Sequence, residues 1–323
     1  MGYTRRMTLA LACAAGMSAA MFGLAPAAEA WEPNKPVNFV IMAGKGGGAD
    51  KMARFMQAVV EKNQMMPQPL IPDNKGGGSG AEAMIALKGA SDPDYNIMVT
   101  LNSFFTTPIL QPKLGIDIMT FTPIARMAED TFVLWVHKDS GIKTFEEFIE
   151  KAKAAGNGWL MAGTGKGQED EIITDYLNKT FGLSIKYIPY KGGGEVAKEL
   201  AGQQVNSTVN NPSEALGFYQ SGDLVPLLAF TNERLPLFPD VPTMIEKGHD
   251  FAYYLQRAVV GAPGMSAEAA AYYEGLFKQF FDSQDWQDYV KQNALEAKWI
   301  DAAANKEYWQ KQLDRHQKLL GSN

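Results

Sequence analysis

Four glycine-rich loops carry the groups best suited to bind a ligand. They are Gly44-Lys45-Gly46-Gly47-Gly48-Ala49-Asp50, Asp73-Asn74-Lys75-Gly76-Gly77-Gly78-Ser79-Gly80, Gly163-Thr164-Gly165-Lys166-Gly167-Gln168 and Lys191-Gly192-Gly193-Gly194. Each follows a short apolar run and opens a helical pattern. Glycine permits positive φ and close ligand approach to backbone N–H groups. Helix starts offer free N–H donors and partial positive charge, which attract carboxylates or phosphates. Lys45, Thr164, Lys166 and Lys191 add side-chain donors. Any one loop could instead be a tight strand-to-helix turn. Asp50, at a helix start, reads as an N-cap. Glu169-Asp170-Glu171 reads as first-turn acids complementing a helix dipole, with binding of a cation or a ligand ammonium the competing role.

Other chemistry is sparse. Gly44-x-Gly46-x-x-Ala49, with Asp73 further on, imitates a dinucleotide fingerprint, but an exported chain does not meet that coenzyme. Gly165-Lys166 is no phosphate loop, because Gly167 stands where Ser or Thr must hold magnesium. The three histidines, His137, His249 and His316, lie in unrelated contexts and read as packing or surface residues. There is no Gly-x-Ser-x-Gly elbow and no His-Glu-x-x-His pair. An exported hydrolase or lyase using Glu169 or Asp170 as base would need a second converging group, and none is visible. The chain reads as no enzyme, with no cofactor.

The elements around the loops set their context. Residues 1–30 read as an export signal: Arg5 and Arg6, an apolar stretch, then Ala28-Glu29-Ala30 as a cleavage site before Trp31. The competing membrane-anchor reading fits poorly, since the run ends in small residues; the twin-arginine flank is incomplete. Cys13, the only cysteine, lies within this segment, so the mature chain has neither disulfides nor thiolate chemistry. Without Arg5, Arg6 and Glu29 there remain 28 basic and 35 acidic residues, which argues against nucleic acid as a partner but not against a small anion.

From residue 37 on, short β-rich runs alternate with helical patterns. Strands are expected over 37–43, 69–72, 97–101, 132–137, 159–162, 185–190, 205–209 and 224–230. Helices are expected over 50–62, 79–88, 143–155, 169–181, 195–202 and 213–221. The alternation predicts an α/β chain with mostly parallel sheets flanked by helices. The later aromatics, Tyr272, Phe277, Phe280, Phe281, Trp286, Tyr308 and Trp309, fall at helical spacing and read as core.

In these loops the sequence resembles the receptors of tripartite tricarboxylate transporters, the Bug or TctC family. Trp31-Glu32-Pro33-Asn34-Lys35-Pro36-Val37 is similar to the family's lead-in. Residues 44–50 and 73–81 occupy the places of its first two glycine loops, and Gly163-Thr164-Gly165 that of its Gly-Ser-x-Gly loop. Ile188-Pro189-Tyr190-Lys191-Gly192 and Pro239-Asp240-Val241-Pro242-Thr243 match family motifs closely, and Gly202-Gln203-Gln204-Val205-Asn206 resembles Gly-Gly-Gln-Val-Asp. The resemblance spans the mature chain.

That resemblance implies a two-lobed periplasmic-binding-protein fold of type II-like form with two crossover segments. Lobe 1 would hold 31–130 and 248–323, lobe 2 would hold 131–247. It implies a periplasmic, monomeric receptor, cleaved after Ala30, that passes a small organic carboxylate to membrane permease subunits. A di- or tricarboxylate, an aromatic acid or an amino acid would fit; a ligand sensor feeding a signalling partner is the alternative. The ligand would sit in the interlobe cleft on backbone N–H groups. Gly44, Lys45, Gly46, Gly47, Gly48, Ala49 and Asp50 would face Thr164, Gly165, Lys166, Gln168 and Glu169 there, with Asn210 and Asn211 at the rim. The chain departs from the family at Lys45, where a proline is usual, at Gln168, Glu169 and Asp170, where small hydroxyl residues are usual, and at Asn206, which replaces an acid. Such mixed charge suits a zwitterion, or a dicarboxylate held by Lys45 and Lys166.

Overall fold

The computed structural model describes residues 31–321; the expected signal peptide and the last two residues lie outside them. The strands are β1 (Val37–Ile41), β2 (Leu70–Asn74), β3 (Asn96–Thr100), β4 (Thr122–Asp130), β5 (Val133–His137), β6 (Leu160–Thr164), β7 (Lys186–Tyr190), β8 (Ser207–Asn210), β9 (Leu224–Ala229), β10 (Leu255–Gly261) and β11 (Glu296–Ile300). The helices are α1 (Gly48–Lys62), α2 (Ala81–Lys88), α3 (Ser103–Leu110), α4 (Phe145–Ala155), α5 (Glu169–Phe181), α6 (Gly193–Ala201), α7 (Pro212–Gln220), α8 (Ala267–Phe281), α9 (Gln284–Gln292) and α10 (Ala302–Gly321).

Two sheets form two lobes. One has the order β11-β4-β10-β3-β1-β2, the other β7-β6-β8-β5-β9. Period-two alternation sends side chains to opposite faces of each sheet. In the first sheet Phe39, Ile41, Val99 and Val259 face α1, α8 and α9. Val40, Met98 and Val260 face α2, α3 and α10. In the second sheet Leu134 and Val136 pack with α4 and α5, and Val133 and Trp135 with α6 and α7. The aromatic run of the late helices is core as expected: Phe277, Phe280, Trp286 and Trp309 are buried.

The sheets are mixed rather than mostly parallel. Only β2-β1-β3 and β7-β6-β8 run parallel. The other pairings, β10 with β3 and β4, β11 with β4, and β5 with β8 and β9, are antiparallel. The β-α alternation describes the parallel half of each lobe. It misses β4, β10 and β11, whose Arg126, Glu129, Arg257 and Lys298 interrupt the apolar pattern. Where an element was expected, its ends fall within two residues of the observed ones.

The chain passes from the first sheet to the second between Asp130 and Val133, and returns between Ala229 and Leu255. The two passages are stitched together. Phe230 N donates to Phe132 O at 2.9 Å, and Tyr253 N to Phe230 O at 3.0 Å. Phe132, Phe230 and Tyr253 are buried in an apolar cluster shared by both lobes.

α10 closes the first lobe. Trp309 packs edge-on against Phe104 of α3, ring centroids 5.1 Å apart. Trp309→Ala removes this buried ring and should lower unfolding stability by about 3–5 kcal/mol, read from a urea titration.

Candidate functional site

The first glycine loop is held by an acid from the helix it opens. After β1 the chain turns at Gly46 with φ 82°, a conformation that favours glycine. Asp50 lies within the first turn of α1 and is not its N-cap; Gly47 is, and it provides no side-chain cap. Asp50 instead reaches back. Its Oδ2 accepts from Gly46 N at 2.9 Å, and its Oδ1 from Arg54 Nε at 2.8 Å and Asn74 Nδ2 at 2.9 Å. Burial alone would raise this carboxyl; the Gly46 amide, Asn74 and Arg54 outweigh it and hold the group below its usual range.

The lobe-two loops are built the same way. Asp170 Oδ2 accepts from Thr164 N at 2.5 Å and Thr164 Oγ1 at 2.9 Å. Glu171 accepts from Gly167 N, and Glu195 from Lys191 N at 3.2 Å. At the end of β8, Asn210 donates to Gly193 O at 3.0 Å and accepts from Asn211 N at 2.9 Å. Asn211 Nδ2 then reaches Thr131 O in the interlobe passage at 2.7 Å.

These loops meet across the lobes. A Cβ on Gly44 would stand 3.1 Å from Lys191 O, and one on Gly194 3.2 Å from Gly46 O. Ser79 Oγ donates to Lys166 O at 3.1 Å, and Lys51 Nζ to Ser213 O at 2.9 Å. Between them lies a hollow of about 50 Å³. The N-cap residues of four helices line it: Gly47 of α1, Gln168 of α5, Gly192 of α6 and Asn211 of α7. None of the four makes a side-chain cap hydrogen bond. Four positive helix ends therefore converge on one small space.

Acids oppose that field. Glu214 Oε1 accepts from Gly48 N at 2.8 Å, so a lobe-two carboxylate stands on a lobe-one helix start. Glu169, at the start of α5, is 1% exposed and lines the hollow. Glu214 Oε2 and Glu169 Oε1 are buried without a hydrogen-bond partner. Burial pushes Glu169 up to about 7 and raises Glu214. Asp170 rises well above its ordinary value, first through burial and then through the charges of Glu169 and Glu214. Arg257 lines the hollow, and its Nε meets Asp130 Oδ2 at 3.0 Å. Burial opposes its charge and Asp130 more than offsets that.

Of the residues expected at the site, Gly47, Gly48, Ala49, Thr164, Gln168, Glu169 and Asn211 line the hollow. Gly44, Lys45, Gly46, Asp50, Gly165, Lys166 and Asn210 do not. Lys45 and Lys166 are exposed at the loop tips, so they make no pair of cationic clamps inside the hollow. Asp50 and Asn210 have turned their polar groups to their own loops. Loop 163–168 abuts the second glycine loop and α3, where a Cβ on Gly165 would meet Ser79 Oγ at 3.1 Å. Sequence reasoning missed Glu214 and Arg257. Arg257, alone in the apolar run Leu255–Gly261, carried a signal, since a charge inside a buried strand needs a reason.

Two mixed sheets, two interlobe passages and a polar hollow between the lobes define a bilobal solute-binding protein. The family described as "Tripartite tricarboxylate transporter family receptor" (TctC) matches residues 52–322, and the chain belongs to it. It is similar to protein BugT of Bordetella pertussis, 25% identical over 231 residues, which cover 70% of this chain and 69% of that protein. A Cupriavidus necator relative is 25% identical over 301 residues, covering 92% and 91%. Among solved structures, the periplasmic binding protein BugD superposes with TM-score 0.85 at 22% identity, covering 90% of this chain and 98% of BugD. MatC from Rhodopseudomonas palustris, solved with malate, gives 0.82 at 22%, covering 89% and 99%. The structural likenesses establish the fold.

Glu169 generates a pH prediction. Its carboxyl lies near 7 in the folded chain against 4.5 unfolded, so between those values the folded state binds more proton. Its contribution to stability therefore falls as pH rises through that window, by on the order of 3 kcal/mol. Glu169→Gln should gain stability relative to wild type from pH 4.5 to 7, measured by urea unfolding at each pH. A difference flat with pH would place the carboxyl in its ordinary range.

Proposed function

We propose that this chain is an exported periplasmic receptor that captures a small organic carboxylate in the interlobe hollow. It then delivers the ligand to the permease subunits of a tripartite tricarboxylate transporter. The observation that carries the reading is the convergence on one hollow of four helix starts whose N-cap side chains make no cap hydrogen bond. Backbone donors there are preorganised, and an anion gains charge-assisted hydrogen bonds in a poorly hydrated site. Membership of a receptor family supports the transport role. The malate bound to MatC, and the adipate bound to another R. palustris protein of the same fold, support a small carboxylate as ligand. Residues 1–30 would direct export and be removed after Ala30. No helix among the described residues is long and apolar enough to cross a membrane.

Loop-to-loop contacts such as Gly44 with Lys191 and Gly46 with Gly194 belong to a closed arrangement. A ligand favours that arrangement only through contacts the open one lacks. Donors supplied by both lobes meet that condition.

A thermal-shift screen of the mature chain against dicarboxylates, tricarboxylates, aromatic acids and amino acids tests the reading. A bound carboxylate at 100 times its Kd should stabilise by about 2.7 kcal/mol, a rise of several degrees. No response to any carboxylate would overturn it. In Gly47→Val, branched methyls would crowd Glu214 Oε1, which a Cβ alone would already approach to 3.5 Å. Affinity by calorimetry should fall at least ~10-fold, while an unchanged value would remove the first loop from the site.

A further inference from the structure

We infer that Glu169 and Glu214 form a cation subsite beside the amide-lined anion subsite, so that the ligand carries a protonated nitrogen as well as a carboxylate. This rests on the carboxylate-receptor reading and narrows it to zwitterions of amino-acid type.

The other acids around the hollow are already engaged. Asp50, Asp170, Glu171 and Glu195 have their carboxylates on loop amides. Asp130 has its charge on Arg257. Glu169 and Glu214 are the two acids lining the hollow. Each keeps one buried oxygen without a partner, Glu169 Oε1 and Glu214 Oε2. Glu169 itself is almost fully buried.

An unpaired carboxylate oxygen in a dry pocket is costly, and the cost disappears when a cation supplies the missing donor. The Arg257 charge acts on both acids, but its Nε and Nη2 go to Asp130 and it donates to neither free oxygen. Lys51 has its ammonium on Ser213 O, and Lys191 lines the hollow with an exposed side chain; neither donates to the free oxygens. An ammonium offers three donors from one compact point charge, enough to satisfy both free oxygens and a backbone carbonyl. A fully deprotonated dicarboxylate would instead bring two negative charges to a space already bordered by two acids. The hollow, about 50 Å³, holds roughly three or four waters' worth of ligand. That suits the amino-carboxylate head of a small amino acid, whose opposite charges lie a few bonds apart.

The test uses matched pairs that differ only in the amino group: L-alanine and propionate, L-aspartate and succinate, L-glutamate and glutarate. Calorimetry and thermal shift are read on the wild-type mature chain, Glu169→Gln and Glu214→Gln. The inference expects at least one amino member to bind roughly 100-fold tighter than its match, as for a desolvated charge pair. It expects either substitution to cut that preference to within about tenfold, without loss of melting temperature, because each removes a buried charge. Equal or tighter binding by the acid lacking nitrogen overturns it, as does a preference unchanged in both variants. Binding of some other carboxylate with no response to any amino acid also overturns it, and leaves the receptor reading standing. No response to any carboxylate overturns both.

Discussion

Everything at this site depends on helix starts whose free amides have no side-chain caps. A helix N-terminus carries partial positive charge and donors that the helix itself cannot use. Ordinarily Ser, Thr, Asp or Asn at the cap position quenches both. Here the cap residues Gly47, Gln168, Gly192 and Asn211 make no side-chain cap, and the four ends face one hollow, with Glu214 of the other lobe on the first amide of α1. The quenching residues have moved elsewhere in the same turns. Asp50, Asp170 and Glu171 sit inside the helices and reach back to loop amides. They stiffen the loops and keep the cap positions clear.

Closure is the second half of the design. The two lobes share an apolar cluster at their passages, so the hinge region is packed while the loops above it are polar. Close approach of loop to loop requires small residues. A Cβ on Gly44 would stand 3.1 Å from Lys191 O, and one on Gly194 3.2 Å from Gly46 O. Glu214 extends from lobe two to a helix start of lobe one at Gly48, and Glu169 lines the same hollow. An acid of one lobe and an amide of the other thus attract across the gap, and a ligand enters a space where both signs of charge are already arranged.

Much of this was legible in the sequence. Glycine clusters after apolar runs marked the loops, and alternation marked the parallel half of each lobe, because both signals are local. Of the antiparallel strands, β5 and β9 were legible as apolar runs, but β4, β10 and β11 were not. β4 and β10 carry Arg126, Glu129 and Arg257 in their interiors; Arg126 and Glu129 pair with each other on β4, whereas Arg257 is met by Asp130, far away in sequence. The acids of 169–171 all read as first-turn residues, with Glu169 alone of the three also expected in the cleft. Their separation into two loop anchors and one buried side chain with a free oxygen depends on where each rotamer points. Glu214 followed the expected rim residues directly, yet its role depends on Gly48, far away in sequence. Lys45 and Lys166 looked like anion clamps from composition alone. Loop curvature puts both outside the hollow.

The most direct measurement is a crystal structure of the mature chain with whichever small acid raises its melting temperature most. The account predicts electron density between the lobes, with a carboxylate on first-turn amides of helices from both lobes and a nitrogen against Glu169. Density on an outer surface, or a ligand held by Lys45 and Lys166 with the hollow empty, would contradict it.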